Sequence, residues 1–154
     1  VPKKSAGILL YRQHGDEIEV LLGHPGGPYW ARKDDGAWSI PKGEFDEDEE
    51  PLAAAMREFE EETGFAVEGE FVKLTPLKQR SGKTIHAFAL EQDLDPSQAH
   101  SNYFCLEWPP GSGQSVEFPE LDRIAWFRLE SARKKIQLGQ RAFLDEIEDI
   151  IAGA

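Results

Sequence analysis

The sequence predicts an α/β fold, a mixed β-sheet covered by helices. Three observations carry this. Strand-like apolar segments recur along the chain, amphipathic helical segments are interspersed among them, and no repeat or linker divides the 154 residues. Length and a 40% hydrophobic content suit one domain over residues 1–154, with a sizeable core.

The elements follow in order. Ala6–Tyr11 (Ala-Gly-Ile-Leu-Leu-Tyr) reads as a strand, His14-Gly15-Asp16 as a turn, and Glu17–Leu22 as its hairpin partner, with Ile18, Val20 and Leu22 alternating. A long Gly- and Pro-containing loop spans Gly23–Gly36, and loops of that length in small domains are commonly functional. Trp38-Ser39-Ile40 is a short extended piece ended by Pro41. Pro51–Thr63 reads as a helix, with proline in its first turn, acids at its N-terminal flank and Gly64 as its cap. Leu52, Ala55, Met56, Phe59 and Thr63 predict its buried stripe. Phe71–Leu77 and Lys83–Leu90 form a strand pair around Arg80-Ser81-Gly82, and Asp93–His100 is a polar connection. Tyr103–Trp108 and Ile124–Arg128 are further strands, separated by the Pro/Gly loop Pro109–Gln114 and by Val116–Glu120. Ser131–Ile136 predicts a short helix, and Arg141–Ile151 an amphipathic one with Phe143, Leu144, Ile147, Ile150 and Ile151 on one face.

The formal net charge of −12 repels nucleic acid backbones and anionic membranes, which disfavours a duplex-binding role. Small polyphosphates remain compatible with such a surface if a divalent cation supplies positive charge. The single cysteine, Cys105, lies in the apolar run Tyr103–Leu106; it predicts a buried thiol and fits a reducing cytoplasm. No run approaches the ~18 apolar residues of a membrane span. Val1-Pro2-Lys3-Lys4-Ser5 shows no signal-peptide pattern, and a start on Val1 points to processing or trimming.

The sharpest feature is the carboxylate pattern in the first helix. Glu58, Glu61 and Glu62 are spaced i, i+3 and i+4, so at ~100° per residue they fall on one side, away from the Leu52–Phe59 stripe. Converging carboxylates repel one another unless compensated, and a hard divalent cation with oxygen ligands does this. Arg57 can pin one carboxylate through a bidentate bond. The plainer alternative is a solvated acidic helix face.

The surroundings favour the metal. Gly43, five residues, Glu49, seven residues, then Arg57-Glu58-Phe59-Glu60-Glu61-Glu62-Thr63-Gly64-Phe65 resembles the complete Nudix box. The match covers Gly43–Phe65, and the flanking strand order is similar to that of Nudix hydrolases over nearly the whole chain. The resemblance implies an α/β/α sandwich around a mixed sheet and a Mg²⁺- or Mn²⁺-dependent pyrophosphohydrolase. Its substrates would be small nucleoside diphosphate-linked molecules or nucleoside polyphosphates. Glu58, Glu61 and Glu62 would hold the metal with the Gly43 carbonyl, Arg57 would orient a carboxylate, and Glu49 would act as an outer metal contact or a cap. A general base would come from the box, including Glu61, or from a loop, which here offers Glu117 or Glu120. Spacing to Trp126 similar to that in diadenosine tetraphosphate hydrolases selects Glu120.

Trp38-Ser39-Ile40-Pro41-Lys42-Gly43 resembles the segment before the box in the diadenosine- and diphosphoinositol-polyphosphate hydrolase branch. That makes Lys42 a candidate phosphate contact and Trp38 either a core residue or a base-stacking platform. Lys78, Arg80 and Lys83 bracket a turn and are either a distal phosphate site or a solvated hairpin tip. His86 is either a satisfied sheet histidine or a phosphate or base contact. Rival substrates are nucleotide sugars, ADP-ribose and oxidised nucleoside triphosphates. A domain that senses nucleotides without turnover is the alternative of another class. The oligomeric state stays open, a homodimer being one option.

Overall fold

A computed structural model describes residues 3–153; Val1 and Pro2, at the start read above, lie outside the described residues. The central strands are β1 (Lys4–His14), β2 (Glu17–Pro25) and β6 (Thr84–Glu91). Strand β1 runs antiparallel to β2 through its second half and antiparallel to β3 (Lys42–Phe45) through its first. On its other edge it runs parallel to β6, so the sheet is mixed. The short strands β4 (Val72–Lys73) and β5 (Leu77–Lys78) pair with β6, and β9 (Leu121–Arg128) closes the far edge against β2.

Side chains alternate across the pleat, which separates two cores. Ala6, Ile8, Leu10, Leu21, Phe88 and Leu90 meet helix α1 (Pro51–Thr63) through Ala54, Ala55 and Phe59. Leu9, Val20, Leu22, Ile85 and Ala87 on the other face meet helices α2 (Leu129–Lys135) and α3 (Arg141–Ala152) through Ala132, Phe143, Leu144 and Ile147. The expected helix-covered mixed sheet is thus an α/β/α sandwich. No helix among the described residues is long and apolar enough to cross a membrane.

Helix α1 has the predicted bounds. Pro51 opens it, and Gly64 closes it in the left-handed region at φ 81°, its N–H donating to the Glu60 carbonyl at 2.8 Å. The buried arc differs from the expected stripe. Leu52 and Met56 are only partly buried, whereas Glu58 and Glu62 are buried with Phe59 and Thr63. Strand β3 lies against that side of the helix and covers the two glutamates.

Other departures trace to tertiary pairing. The segment around Gly43, beyond the Pro41 that was expected to end the extended piece, is a strand paired with β1. Val116–Glu120, read as a loop, is mostly strand β8 (Ser115–Pro119), which pairs with β7 (Tyr103–Glu107) in a separate two-stranded sheet. Because that hairpin stands off the main sheet, its outer face meets solvent. Cys105, opposite Glu117, is exposed there and not buried as its apolar neighbours suggested.

Candidate active site

Strand β3 and helix α1 together build the acidic centre. Gly43 pairs with Ala6 and faces the helix, and a Cβ on it would overlap the Glu58 carboxylate. Glycine stands here for close approach, not for a turn. Arg57 makes more contacts than the single carboxylate expected of it. Its Nε and Nη2 donate to the two oxygens of Glu49 at 2.8 and 2.9 Å, and Nη1 donates to Glu58 at 2.9 Å and to Glu61 at 3.3 Å. The Glu49 bonds, followed by those to Glu58, hold the guanidinium above its ordinary pKa, and the same fork lowers Glu49.

Glu58 and Glu62 are 9% and 8% exposed, which removes the reading of a merely solvated acidic face for these two. Burial raises the Glu58 pKa despite its bond to Arg57. Burial also pushes Glu62 up to about 8, reinforced by Glu58 and Glu120 and opposed by the Lys42 ammonium and backbone. Glu61 is more exposed and leans on Arg57. Among the described residues no three acid, histidine or cysteine groups already stand close enough to grip a metal, and Arg57 pairs with Glu58 and Glu61. The donor set nevertheless fits a hard cation. It offers carboxylate oxygens and the Gly43 carbonyl, and two of its acids carry a desolvation cost that a divalent ion would offset.

Glu120 reaches this centre by a relay of backbone bonds. Asn102 N–H donates to the Glu61 carbonyl at 2.9 Å, and His100 N–H to the Thr63 carbonyl at 3.1 Å. Glu120 N–H then donates to the Asn102 carbonyl at 2.8 Å, and Gly26 N–H to the Glu120 carbonyl at 3.0 Å. The Glu120 carboxyl is half-buried, its pKa raised by desolvation, and it acts electrostatically on both Glu58 and Glu62. Glu117 instead lies exposed on the outer face of β8.

The expected substrate residues divide. Lys42 is near the acids: burial, then Lys83, lowers its pKa, while Glu62, Glu44 and Glu58 raise it. Trp38 is not a stacking platform. It is 3% exposed, bonds Asp34 through Nε1 at 2.8 Å and packs edge-on against Phe127, because its segment bridges β2 to the end of α2. Arg80 sits on the exposed tip between β5 and β6. His86 is two strands from Gly43, against Phe45, with Lys4 and Lys73 nearby. Its Nδ1 is buried without a partner, so it is not the satisfied sheet histidine expected as the alternative. The sequence reading missed a groove of about 360 Å³ beside Glu62, which includes His100, Tyr103, Leu121, Asp122 and Arg123. The one sequence signal for it was a polar connection longer than two strands require.

A sandwich whose carboxylate helix packs on a glycine strand defines the class, an α/β domain of Nudix type. The NUDIX domain model matches residues 1–147, and the chain belongs to that family. It is 30% identical over 137 residues to an octanoyltransferase of Myxococcus xanthus, covering 88% of this chain and 33% of that protein. It is 30% identical over 134 residues to Nudix hydrolase 10 of Arabidopsis thaliana, covering 86% of this chain and 44% of that protein. The chain therefore spans less than half the length of these two relatives. A structure of a C. elegans Ap4A hydrolase binary complex superposes with a TM-score of 0.67 at 22% identity, covering 97% of this chain and 99% of that one. This last likeness concerns the fold.

Proposed function

We propose that the chain hydrolyses a phosphoanhydride bond in a nucleoside diphosphate-linked or nucleoside polyphosphate substrate, by attack of water on phosphorus. The observation that carries the proposal is the buried pair Glu58 and Glu62 with Glu120, from a segment outside the box, tied by backbone bonds through Asn102 to the last turn of their helix. Glu58, Glu61, Glu62 and the Gly43 carbonyl would hold Mg²⁺ or Mn²⁺. When bound, such a cation neutralises phosphate charge and polarises the phosphoryl oxygens. Arg57 and Glu49 hold the carboxylates in place. Glu120, kept protonatable by its half-buried setting, takes the proton of the attacking water. Lys42 faces the phosphates from β3. Dinucleoside polyphosphates are the favoured substrates, on the resemblance of the segment before the box and the fold of the Ap4A hydrolase neighbour.

The test is product analysis on a nucleotide panel with Mg²⁺ or Mn²⁺ in isotopically labelled water. Label in one phosphate product identifies the attacked phosphorus. A panel giving no product with either metal removes the hydrolase reading, and nucleotide binding without turnover would replace it with a sensor.

A further inference from the structure

Strand β2 ends near a histidine that the acidic centre does not use. The β2–β9 ladder slips by one residue there: His24 pairs with Arg123 and Pro25 with Leu121, so Asp122 has no partner across it. A bulge of this kind re-aims a side chain. Asp122 Oδ1 lies 2.8 Å from Nδ1 of His24, whose ring is fully buried, and His24 Nε2 lies 2.7 Å from the Lys33 carbonyl. The ring thus joins the start of β9 to the Gly23–Gly36 loop.

Both of its partners are acceptors. A carboxylate and a carbonyl have no hydrogen to give, and a neutral imidazole has one N–H. A neutral ring beside an ionised Asp122 would point a nitrogen lone pair at one of the two oxygens, in a buried setting where an unmade bond is costly. A second N–H on the ring removes the conflict. The extra proton belongs on the ring and not on Asp122, because Arg123 Nε also stands 3.8 Å from Oδ1 and favours the carboxylate. The other charges on the elements packed here are engaged elsewhere: Lys33 Nζ lies 5.1 Å from the Trp30 ring centroid, and Asp34 pairs with Lys135 of α2. Trp38 packs edge-on against the His24 ring at 5.2 Å.

The location ties the pair to Glu120. Asp122 stands two residues after Glu120 and His24 two residues before Gly26, whose N–H donates to the Glu120 carbonyl at 3.0 Å. The pair and that bond close a ring through His24-Pro25-Gly26 and Glu120-Leu121-Asp122. A Cβ on Gly26 would overlap the Pro119 carbonyl, so the two segments meet without a gap. Glu120 is held through its carbonyl here and through its N–H by Asn102.

We infer that His24 and Asp122, as a buried imidazolium–carboxylate bridge, are positioning residues that set the backbone of Glu120, a role that rests on the hydrolase reading for the task of Glu120. They act through Glu120 and not on substrate.

The experiment joins nitrogen NMR of the whole chain carrying isotopically labelled histidine, backbone amide exchange, and kinetics on the nucleotide that the panel identifies. It compares wild type, Asp122→Asn and Asp122→Ala at neutral pH. Both ring nitrogens of wild-type His24 carry hydrogen. Asparagine brings its own N–H to Nδ1, so in Asp122→Asn the ring keeps one hydrogen, on Nε2, and Gly26 exchange and turnover stay near wild type. In Asp122→Ala the Gly26 amide exchanges about tenfold faster, the scale of one lost hydrogen bond. Its kcat falls about 10²-fold with KM near wild type, as for a misplaced reacting group. A bare nitrogen on wild-type His24 overturns the proposal. So does Asp122→Ala with unchanged Gly26 exchange or unchanged kcat, and a rise in KM alone would make Asp122 a substrate contact instead. Should Asp122→Ala not fold, Asp122→Asn decides: lost turnover with Gly26 still protected assigns the role to the carboxylate charge and not to the bridge. The doubly protonated ring and the Asp122-dependent Gly26 amide, found in a protein that turns over no nucleotide, keep the bridge and remove the hydrolase reading, so the two fail separately.

Discussion

Helix α1 places its acids by local repeat, whereas the β7–β8 segment places Glu120 by long-range contact. Glu58, Glu61 and Glu62 reach one side through the 3.6-residue period alone. Glu120 lies 62 to 58 residues further on, and it arrives only because residues 100–102 bond the last carbonyls of α1 and then its own backbone. The anchoring differs too. Helix α1 is clamped by Ala54, Ala55 and Phe59 in a sealed core, while the hairpin relies on Phe104 against Phe118 and on Gly27 lying beneath Phe104. A site of this kind combines a rigid acid rack with an acid delivered on a less buried support, and the two can be perturbed separately.

The largest separation is expected from Glu62→Gln. Turnover should fall by more than the ~100-fold typical of outer-sphere changes, since a ligand itself is altered. In wild type, Mg²⁺ at ~100 times its dissociation constant should add ~2.7 kcal/mol to unfolding stability, and the variant should lose most of that gain. Without metal the variant should be no less stable than wild type, because an amide replaces a carboxylate whose charge is costly to bury. Calorimetry with and without Mg²⁺ decides this; full metal stabilisation in the variant would remove Glu62 from the ligand set.

Glu120→Gln should lower turnover by on the order of 10²-fold while leaving both the Mg²⁺-dependent stabilisation and nucleotide affinity near wild type. If affinity alone changes, Glu120 binds substrate and is not the base, and the contrast between rack and delivered acid collapses.

Packing gives the next test. Phe59→Ala should cost ~3–5 kcal/mol of stability in denaturant unfolding, since its ring is fully buried under the sheet. Phe104→Ala, on the half-exposed hairpin, should cost ~1 kcal/mol and lower turnover more than its stability effect explains. Equal costs would show that the hairpin is as firmly integrated as the helix.

The smallest effect concerns the loop beneath the hairpin. Asp34 accepts from Lys135 at 2.6 Å and from Trp38 at 2.8 Å, which lowers its pKa below 3.8. A lowered folded pKa contributes stability that is present above pH 3.8 and lost as pH falls through the lower folded value. The thermal midpoints of Asp34→Ala and wild type should therefore differ slightly near neutrality and converge as acid protonates the carboxylate. A gap that persists at the acid end would mean that Asp34 acts by packing.

The sequence by itself determined the box: its helix bounds, the shared side of three glutamates and the glycine before them. These depend on helical periodicity and on caps within a few residues. It also determined the two-sided core, because β1 and β2 alternate apolar residues to both faces. Only the tertiary structure decided that Gly43 is a strand residue making room for Glu58, that Trp38 is core, and that Cys105 faces solvent. It also separated Glu120, which the spacing to Trp126 already favoured, from Glu117: the pairing of β7 with β8 turns a difference of three residues into opposite environments. The physical reason is range. Helical phase and capping are set by neighbours in the chain, whereas burial in a hairpin standing off the main sheet depends on which distant backbone groups it meets.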